Sequence, residues 1–230
     1  MSTWKDRYNE QGKHDTPNLQ FNVDRTKGGV VVSEDIWDRT VCAVIKHSKI
    51  SKDSVVMEVC CGNGMLLGPI SKICKKAIGV DFSVQLLAQL NAAFPNSVET
   101  HLADALEFEW KKEELDVVLI YFAIQCFSER NALRLISRAF SWLKVGGVLF
   151  IGDVPDEEKK WGYLSKPEYR RDYLTRVETD TPMIGQWFRK EFFKALEDYI
   201  PCMQVTLIDQ PSYQINSEIR YDVVIRKVRE

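Results

Sequence analysis

From residue 33 onward the chain alternates between short apolar stretches and longer stretches in which apolar residues recur at helical spacing. Residues 55–60 are continuously apolar apart from Glu58, glycines follow at positions 62 and 64, and an apolar helix is expected over residues 65–74. An apolar strand that leads through glycine into a helix is typical of a parallel sheet covered by helices on both faces. The alternation therefore predicts an α/β fold.

The rest of the pattern extends this sheet. Four further buried strands are predicted, at residues 77–80, 98–102, 115–122 and 148–151. Two last strands, residues 202–208 and 219–225, are expected to pair as an antiparallel hairpin at the sheet edge. The predicted architecture is a doubly wound, mostly parallel seven-stranded sheet of the Rossmann-like type, with a helical insertion after strand five.

The 230 residues favour a single domain spanning residues 1–230. Residues 153–187 interrupt the strand and helix pattern with prolines, charges and aromatic side chains. We interpret this stretch as an insertion that lies over the carboxyl edge of the sheet and caps the substrate.

Composition and charge exclude several classes of protein. With 31 basic and 33 acidic residues, the chain has no global positive field for a phosphate backbone, so nucleic acid is not an expected partner. No segment approaches about 18 uninterrupted apolar residues, so no membrane association is expected, and the charged start predicts a cytoplasmic protein. The six cysteines form no C-x-x-C pair and the three histidines are scattered, so no metal site is predicted.

Three acidic residues follow neighbouring strands of the predicted sheet. Glu58 precedes the glycine turn, where it would favour an amino-bearing ligand over a diphosphate. Asp81 ends strand two, where a carboxylate can accept two hydrogen bonds from a ribose diol. Asp104 ends strand three and is placed to accept a hydrogen bond from an exocyclic amine such as that of adenine. Together they predict a nucleoside ligand with an amino-acid-like part.

A dinucleotide cofactor is the main alternative. Its fingerprint, G-x-G-x-x-G, fails because the glycine after Gly62 and Gly64 is Gly68, one position late. A nucleotide-cofactor (NAD-type) oxidoreductase on a similar sheet, and a non-catalytic cofactor-binding module, stay open as alternatives.

The ordered set of motifs resembles the class I S-adenosylmethionine-dependent methyltransferases over residues 54–152. Residues 58–64 resemble the glycine motif of this family, with Cys60 standing where the first glycine usually is. The stretches that resemble the later motifs are residues 78–83, 102–105, 116–121 and 143–149.

The resemblance implies S-adenosyl-L-methionine as cofactor and assigns its contacts. Its methionine part would lie against residues 58–64, its ribose on Asp81, and its adenine between Phe82 and the Asp104–Ala105 pair, while Tyr121 and Phe122 would line the methyl-bearing side. The implied cofactor-binding residues are Tyr8, Glu58, Cys60, Gly62, Asn63, Gly64, Asp81, Phe82, Asp104, Ala105, Tyr121 and Phe122. Residues 1–32, with Trp4, Tyr8, Gly28 and Gly29, resemble the lid that covers the cofactor in many small-molecule members.

The function expected from this reading is methyl transfer to a small polar acceptor, a hydroxyl of a metabolite or sugar. A hydroxyl needs a base, and the candidate catalytic residues are Asp153, His14 and Tyr121. Acidic metal ligands after strand four, which the catechol type of the family has, are replaced by Tyr121-Phe122-Ala123, so metal-assisted deprotonation is not expected.

The candidate substrate residues are Gln125, Trp161, Tyr163, Arg170 and Trp187. The expected partners are a small-molecule acceptor and, if any, a second copy of the chain, with monomer and homodimer both open.

Overall fold

The computed structural model describes residues 4–14, 16–27, 29–179, 181 and 184–229. Strands and helices alternate along the chain, and each is given with its bounds. The β-strands are β1 (Thr26–Lys27), β2 (Val30–Val31), β3 (Val55–Val59), β4 (Lys76–Asp81), β5 (Glu99–Leu102), β6 (Leu115–Tyr121), β7 (Leu143–Pro155), β8 (Met203–Asp209) and β9 (Arg220–Lys227). The α-helices are α1 (Trp4–Gln11), α2 (Leu19–Asn22), α3 (Glu34–Ser48), α4 (Leu67–Ser71), α5 (Val84–Ala93), α6 (Glu129–Trp142), α7 (Lys160–Tyr163), α8 (Pro167–Glu178), α9 (Lys190–Lys194) and α10 (Leu196–Tyr199).

The main sheet has seven strands in the order β5-β4-β3-β6-β7-β9-β8. The first five are parallel, and β9 pairs antiparallel with both β7 and β8. The predicted doubly wound, mostly parallel sheet with an antiparallel edge hairpin is therefore confirmed. The strand order reverses between β3 and β6, and ligands bind at such a switch point, outside the carboxyl ends of the strands.

Helices cover both faces of the sheet. Side chains of α3, α4 and α5 form the core on one face, and side chains of α6, α9 and α10 form it on the other. Serine hydroxyls cap three of these helices: Ser33, Ser83 and Ser128 each accept a hydrogen bond from the backbone amide three residues on, as is common for serine at a helix N-terminus. The helices are thereby fixed at the end nearest the switch point.

Some predicted boundaries were wrong. The helix expected over residues 65–74 is regular only over Leu67–Ser71, where Gly68 packs so closely on Phe94 that an added Cβ would lie 2.2 Å from its ring. The fifth strand is far longer than residues 148–151, because pairing with β9 extends it to Pro155. In the described residues, no helix is both long and apolar enough to cross a membrane.

Candidate active site

A cavity of about 480 Å³ lies at the carboxyl ends of β3, β4 and β6, at the switch point of the sheet. We call it the first cavity. The structure brings the predicted cofactor residues together there, with the exception of Gly64, which lies behind the turn. The predicted residues that line it are Tyr8, Glu58, Cys60, Gly62, Asn63, Asp81, Phe82, Asp104, Ala105, Tyr121 and Phe122.

The turn after β3 requires left-handed backbone at several positions. Cys60 has a φ of 62°, Gly62 of 53° and Gly64 of 73°. Cys60 thus adopts the conformation that glycine accepts at least cost. A Cβ at Gly64 would lie 2.6 Å from Cγ of Leu90, so this glycine is needed for packing on α5 rather than for ligand contact.

Asp81 is fixed by the glycine turn. Its Oδ2 accepts a hydrogen bond from the Gly62 amide at 2.8 Å, and its Oδ1 accepts one from the Ser83 amide at 2.9 Å. Burial raises the pKa of the Asp81 carboxyl, and these amide donors partly oppose the rise. Each oxygen retains a lone pair for a second donor, such as a vicinal diol.

Glu58 is the most unusual group of the first cavity. Its side chain is 3% exposed, and its Oε2 has no hydrogen-bond partner among the described residues. Burial, reinforced by the negative charge of Asp81, raises its pKa well above the usual range. A buried acceptor without a partner is costly, so this oxygen is suited to a cationic or N–H-bearing ligand.

The lid predicted over residues 1–32 contributes α1 to the first cavity. Trp4, Lys5 and Tyr8 line it, and Nζ of Lys5 forms an ion pair with Oδ2 of Asp104. The pKa of Asp104 is lowered, since hydrogen bonds from Lys5 and the Leu106 amide outweigh the effect of burial. Gly29 has a positive φ in the turn between β1 and β2, and Gly28 lies outside the described residues.

Asp153, a predicted base, lies away from the first cavity in a buried cluster. Its carboxylate is 0% exposed and accepts two hydrogen bonds from Arg25, at 2.6 and 3.1 Å, while Arg220 lies 3.1 Å away. These cations lower its pKa despite its burial. Asp153 is therefore held ionised and paired, which disfavours a role as base. We call this group, Arg25, Asp153, Gln210, Arg220 and Asp222, the Asp153 cluster.

The other candidate catalytic residues differ in position. His14 is exposed, contacts Phe21 edge-on, and is not among the described residues that line the first cavity. Tyr121 does line the cavity, and its hydroxyl accepts a hydrogen bond from Nη2 of Arg25 at 3.1 Å. Burial raises the pKa of Tyr121, so its hydroxyl stays protonated and cannot take up the proton of an acceptor.

Arg25 was missed by sequence reasoning although it lines the first cavity. It is 2% exposed, and its guanidinium lies 4.6 Å from the ring centre of Phe122. Asp153 follows Arg25 by 128 residues, and no local pattern connects the two. A basic residue within an otherwise polar amino-terminal stretch gave no signal of burial.

The predicted substrate residues are divided by the structure. Gln125 is buried after β6, while Tyr163 and Trp187 line a second cavity of about 240 Å³ in the insertion. Trp161 is 55% exposed, and Arg170 donates to the carbonyl groups of Leu164 and Ser165, so neither is brought to a cavity.

Metal binding gains no support from the side chains. Within the described ranges, no three His, Cys, Asp or Glu residues are grouped so that they could hold a metal ion. The sequence prediction on this point stays a prediction.

Comparison with known proteins agrees with this geometry. Residues 56–147 match the family model described as a methyltransferase domain. No curated protein matches the chain. The resemblance to class I methyltransferases drawn from the motifs is confirmed at the level of domain and fold.

Solved structures share the fold at low identity. The N-methyltransferase NodS from Bradyrhizobium japonicum WM9, in complex with S-adenosyl-L-homocysteine, is 12% identical with a TM-score of 0.66, over 99% of this chain and 99% of that one. Phosphoethanolamine N-methyltransferase 1 from Haemonchus contortus, in complex with phosphoethanolamine and S-adenosylhomocysteine, is 14% identical with a TM-score of 0.66, over 98% of this chain and 48% of that one. At such identity the likeness establishes the fold alone.

Proposed function

We propose, from the match of residues 56–147 to a methyltransferase domain, that the protein is an S-adenosylmethionine-dependent methyltransferase acting on a small polar acceptor. The unpartnered, buried Oε2 of Glu58 at the glycine turn is the observation that carries the proposal. It matches the ammonium group of the methionine part of the cofactor, which needs a buried anionic acceptor.

The remaining residues fit the cofactor in turn. Asp81 would accept hydrogen bonds from the ribose hydroxyls, and Phe82 and Ala105 would border the adenine, whose amino group would donate to Asp104. A diphosphate would instead meet the charge of Glu58 and of Asp81. The fit therefore favours this cofactor over the NAD-type alternative. The two structural neighbours described above contain S-adenosylhomocysteine, which supports the same proposal.

The cofactor, when bound, supplies a sulfonium-activated methyl group. The chain would contribute positioning and exclusion of water, which are sufficient for much of the rate of such a transfer. Tyr121 and Phe122 would fix the methyl-bearing side, and Arg25 holds both rings through its guanidinium. Trp4 and Tyr8 of α1 would close the opposite side.

The acceptor atom is the finer part of the proposal. The hydroxyl acceptor expected from the sequence needs a base, and neither Asp153 nor His14 is among the described residues that line the first cavity. A small amine that has lost its proton to solvent before binding attacks through its free lone pair, so no base is needed at the reacting atom, and a small amine is our second candidate. The names of both neighbours, as N-methyltransferases, support this second candidate.

Calorimetry with S-adenosylhomocysteine and with NAD tests the cofactor. We expect binding of the first and not of the second. Asp81→Asn and Glu58→Gln should each weaken binding by about 1.5–3 kcal/mol, the range for hydrogen bonds to charged groups, or roughly 10- to 150-fold. Asp53→Asn, an exposed carboxylate in the turn before β3, is the matched control and should leave the affinity unchanged. NAD binding without S-adenosylhomocysteine binding would refute the proposal.

A labelled-methyl assay tests the acceptor. Incubation of the chain with labelled cofactor and a panel of small amines and alcohols should label one class of small molecule. Label recovered only on protein or nucleic acid would contradict a small-molecule acceptor. Label on alcohols would favour the hydroxyl acceptor over the amine.

A cytoplasmic location and a monomeric or homodimeric state belong to the same proposal, and gel filtration tests the oligomeric state.

A further inference from the structure

The second cavity is formed by residues of the insertion, and aromatic side chains are the largest group in its wall. Its volume is about 240 Å³, and one ion pair, between Asp172 and Arg176 at 2.8 Å, supplies charge to its wall. The aromatic side chains that line it are Tyr163, Tyr169, Tyr173 and Trp187. About 150 Å³ of apolar space is enough to hold benzene, so this cavity has room for a substituted ring.

The two cavities meet at Gly185. This glycine lines the second cavity and has a φ of 91°. A Cβ at this position would lie 3.0 Å from Cζ2 of Trp4, which lines the first cavity. The contact between Trp4 and Gly185 is thus part of the wall between the cavities. Helix α1, which carries Trp4, has no fully buried side chain among its described residues and is held mainly by the ion pairs Lys5–Asp104 and Arg7–Asp24.

The backbone of Gln125 lies at the same junction, and its side chain is not among the described residues that line either cavity. Its carbonyl oxygen would be 2.3 Å from a Cβ at Gly185 and accepts a hydrogen bond from the Gln186 amide at 2.8 Å. Its side chain is 3% exposed, and Nε2 donates to the carbonyl of Phe122 at 2.9 Å. Oε1 has no partner among the residues that the structure describes. A buried amide oxygen without a donor is costly, and a ligand that extends past Gly185 could supply the missing hydrogen bond.

We propose that the first and second cavities hold one acceptor between them, a small molecule with an aromatic ring on a short side chain that ends in an amine or hydroxyl. The ring occupies the second cavity, because aromatic walls favour edge-on and offset contacts with another ring. An N–H or O–H group of the side chain donates to Oε1 of Gln125, and the reacting atom lies in the first cavity. Trp4 shifts to join the two spaces. This inference rests on the proposed function and specifies its substrate class.

Binding of 2-phenylethylamine and ethylamine, which differ only by a phenyl ring, tests the inference. Both are titrated by calorimetry into the full chain saturated with S-adenosylhomocysteine. We expect the ring-bearing amine to bind about tenfold or more tightly than ethylamine. Tyr173→Ala, which removes one aromatic wall, and Ile184→Trp, which fills the cavity, should each abolish most of this difference.

Two further variants separate the parts of the inference. Gln125→Met keeps the size of the side chain but removes the amide oxygen, so it should weaken both amines alike. Tyr199→Ala, at an exposed position of α10 that lines neither cavity, should change neither affinity. All four variants should bind S-adenosylhomocysteine as the native chain does. Equal affinities for the two amines, or no binding of either, would overturn the inference, while loss of S-adenosylhomocysteine binding by the native chain would instead count against the proposed function.

Discussion

At the cofactor end of the first cavity the polar groups lie at the tips of neighbouring parallel strands, whereas in the Asp153 cluster, which Arg25 connects to this cavity, they come from distant parts of the chain. Asp81 is bound by amides only 19 residues before it and 2 residues after it. Asp153 is bound by Arg25, 128 residues before it, and by Arg220, 67 residues after it. The cofactor end is formed by the sheet itself, and the Asp153 cluster by side chains that join three separate regions.

This difference implies that one group of residues acts mainly on ligand binding and the other mainly on the stability of the fold. Burial raises the carboxyl pKa values of Glu58 and Asp81, so the ionised form of each is disfavoured in the folded chain unless a ligand compensates it. The pKa of Asp153 is lowered because Arg25 and Arg220 outweigh its burial, so its ionised form supports the folded state. Substitutions in the two groups should therefore affect different measurements.

The largest effect is expected from Asp153→Asn. The change leaves Arg25 and Arg220 buried without a full counter-charge, and breaking a buried ion pair on one side typically costs about 3–5 kcal/mol. Asparagine accepts the φ of 65° at this position, so the substitution isolates charge from backbone strain. Urea unfolding measures the free energy of unfolding.

Glu10→Gln is the control for this variant. Glu10 forms an exposed ion pair with Lys13 at 2.6 Å, and such a pair is worth about 0–1 kcal/mol. If Asp153→Asn lowered the free energy of unfolding by less than about 1 kcal/mol, the prediction would be wrong. The buried ion pairs of the Asp153 cluster would then contribute no more to stability than an exposed pair does.

A smaller, pH-dependent effect is expected at Asp222, whose pKa burial raises to about 6. Between about pH 4 and pH 6 the folded chain then binds more protons at this group than the unfolded chain, so the free energy of unfolding falls as pH rises. A shift of about two pKa units corresponds to about 3 kcal/mol. The stability of Asp222→Asn relative to the native chain should therefore rise by about this amount across the window.

Glu99→Gln gives the opposite sign and serves as the comparison. Hydrogen bonds from Lys76 and His101 lower the pKa of Glu99, so the native chain gains stability over this variant as pH rises. The change of this stability difference with pH should be small, because solvent screens the charge of the exposed Glu99 side chain. The free energy of unfolding of each variant relative to the native chain is plotted against pH. If the two plots had slopes of the same sign, the conclusion that burial disfavours the charge of Asp222 would be refuted.

The sequence predicted the cofactor end well because its chemistry is local. A buried strand, a glycine turn and an acid at the next strand end are close in sequence, and parallel pairing brings strand ends to one edge. The seven strands, the edge hairpin and the serine caps follow from such local rules. The length of β7 does not, because β9 decides where its pairing stops.

The Asp153 cluster and the second cavity were predicted poorly because their contacts join residues far apart in sequence. Asp153 has the sequence position of a base, and only the position of Arg25 and Arg220 in space shows that it is paired. The second cavity likewise depends on how α7 and α8 fold against Trp187 and Gly185. Aromatic composition indicated a cap over the sheet edge, and its volume is a property of the packed structure.

The smallest effect concerns Lys5 of α1, a helix that reaches Asp104 at the cofactor end through Lys5 and lies beside Gly185 of the second cavity through Trp4. Its ion pair with Asp104 is largely exposed, with Lys5 56% exposed, so Lys5→Met should change the free energy of unfolding by less than about 1 kcal/mol. Because Lys5 occupies the oxygen that we expect the adenine amino group to use, its removal should raise S-adenosylhomocysteine affinity a few-fold, and added salt should reduce this gain. Lys13→Met, on the exposed side of the same region, should leave the affinity unchanged. A tenfold or greater loss of affinity in Lys5→Met would instead mean that Lys5 holds the cofactor directly, and that α1 belongs to the cofactor end and not to the boundary between the two.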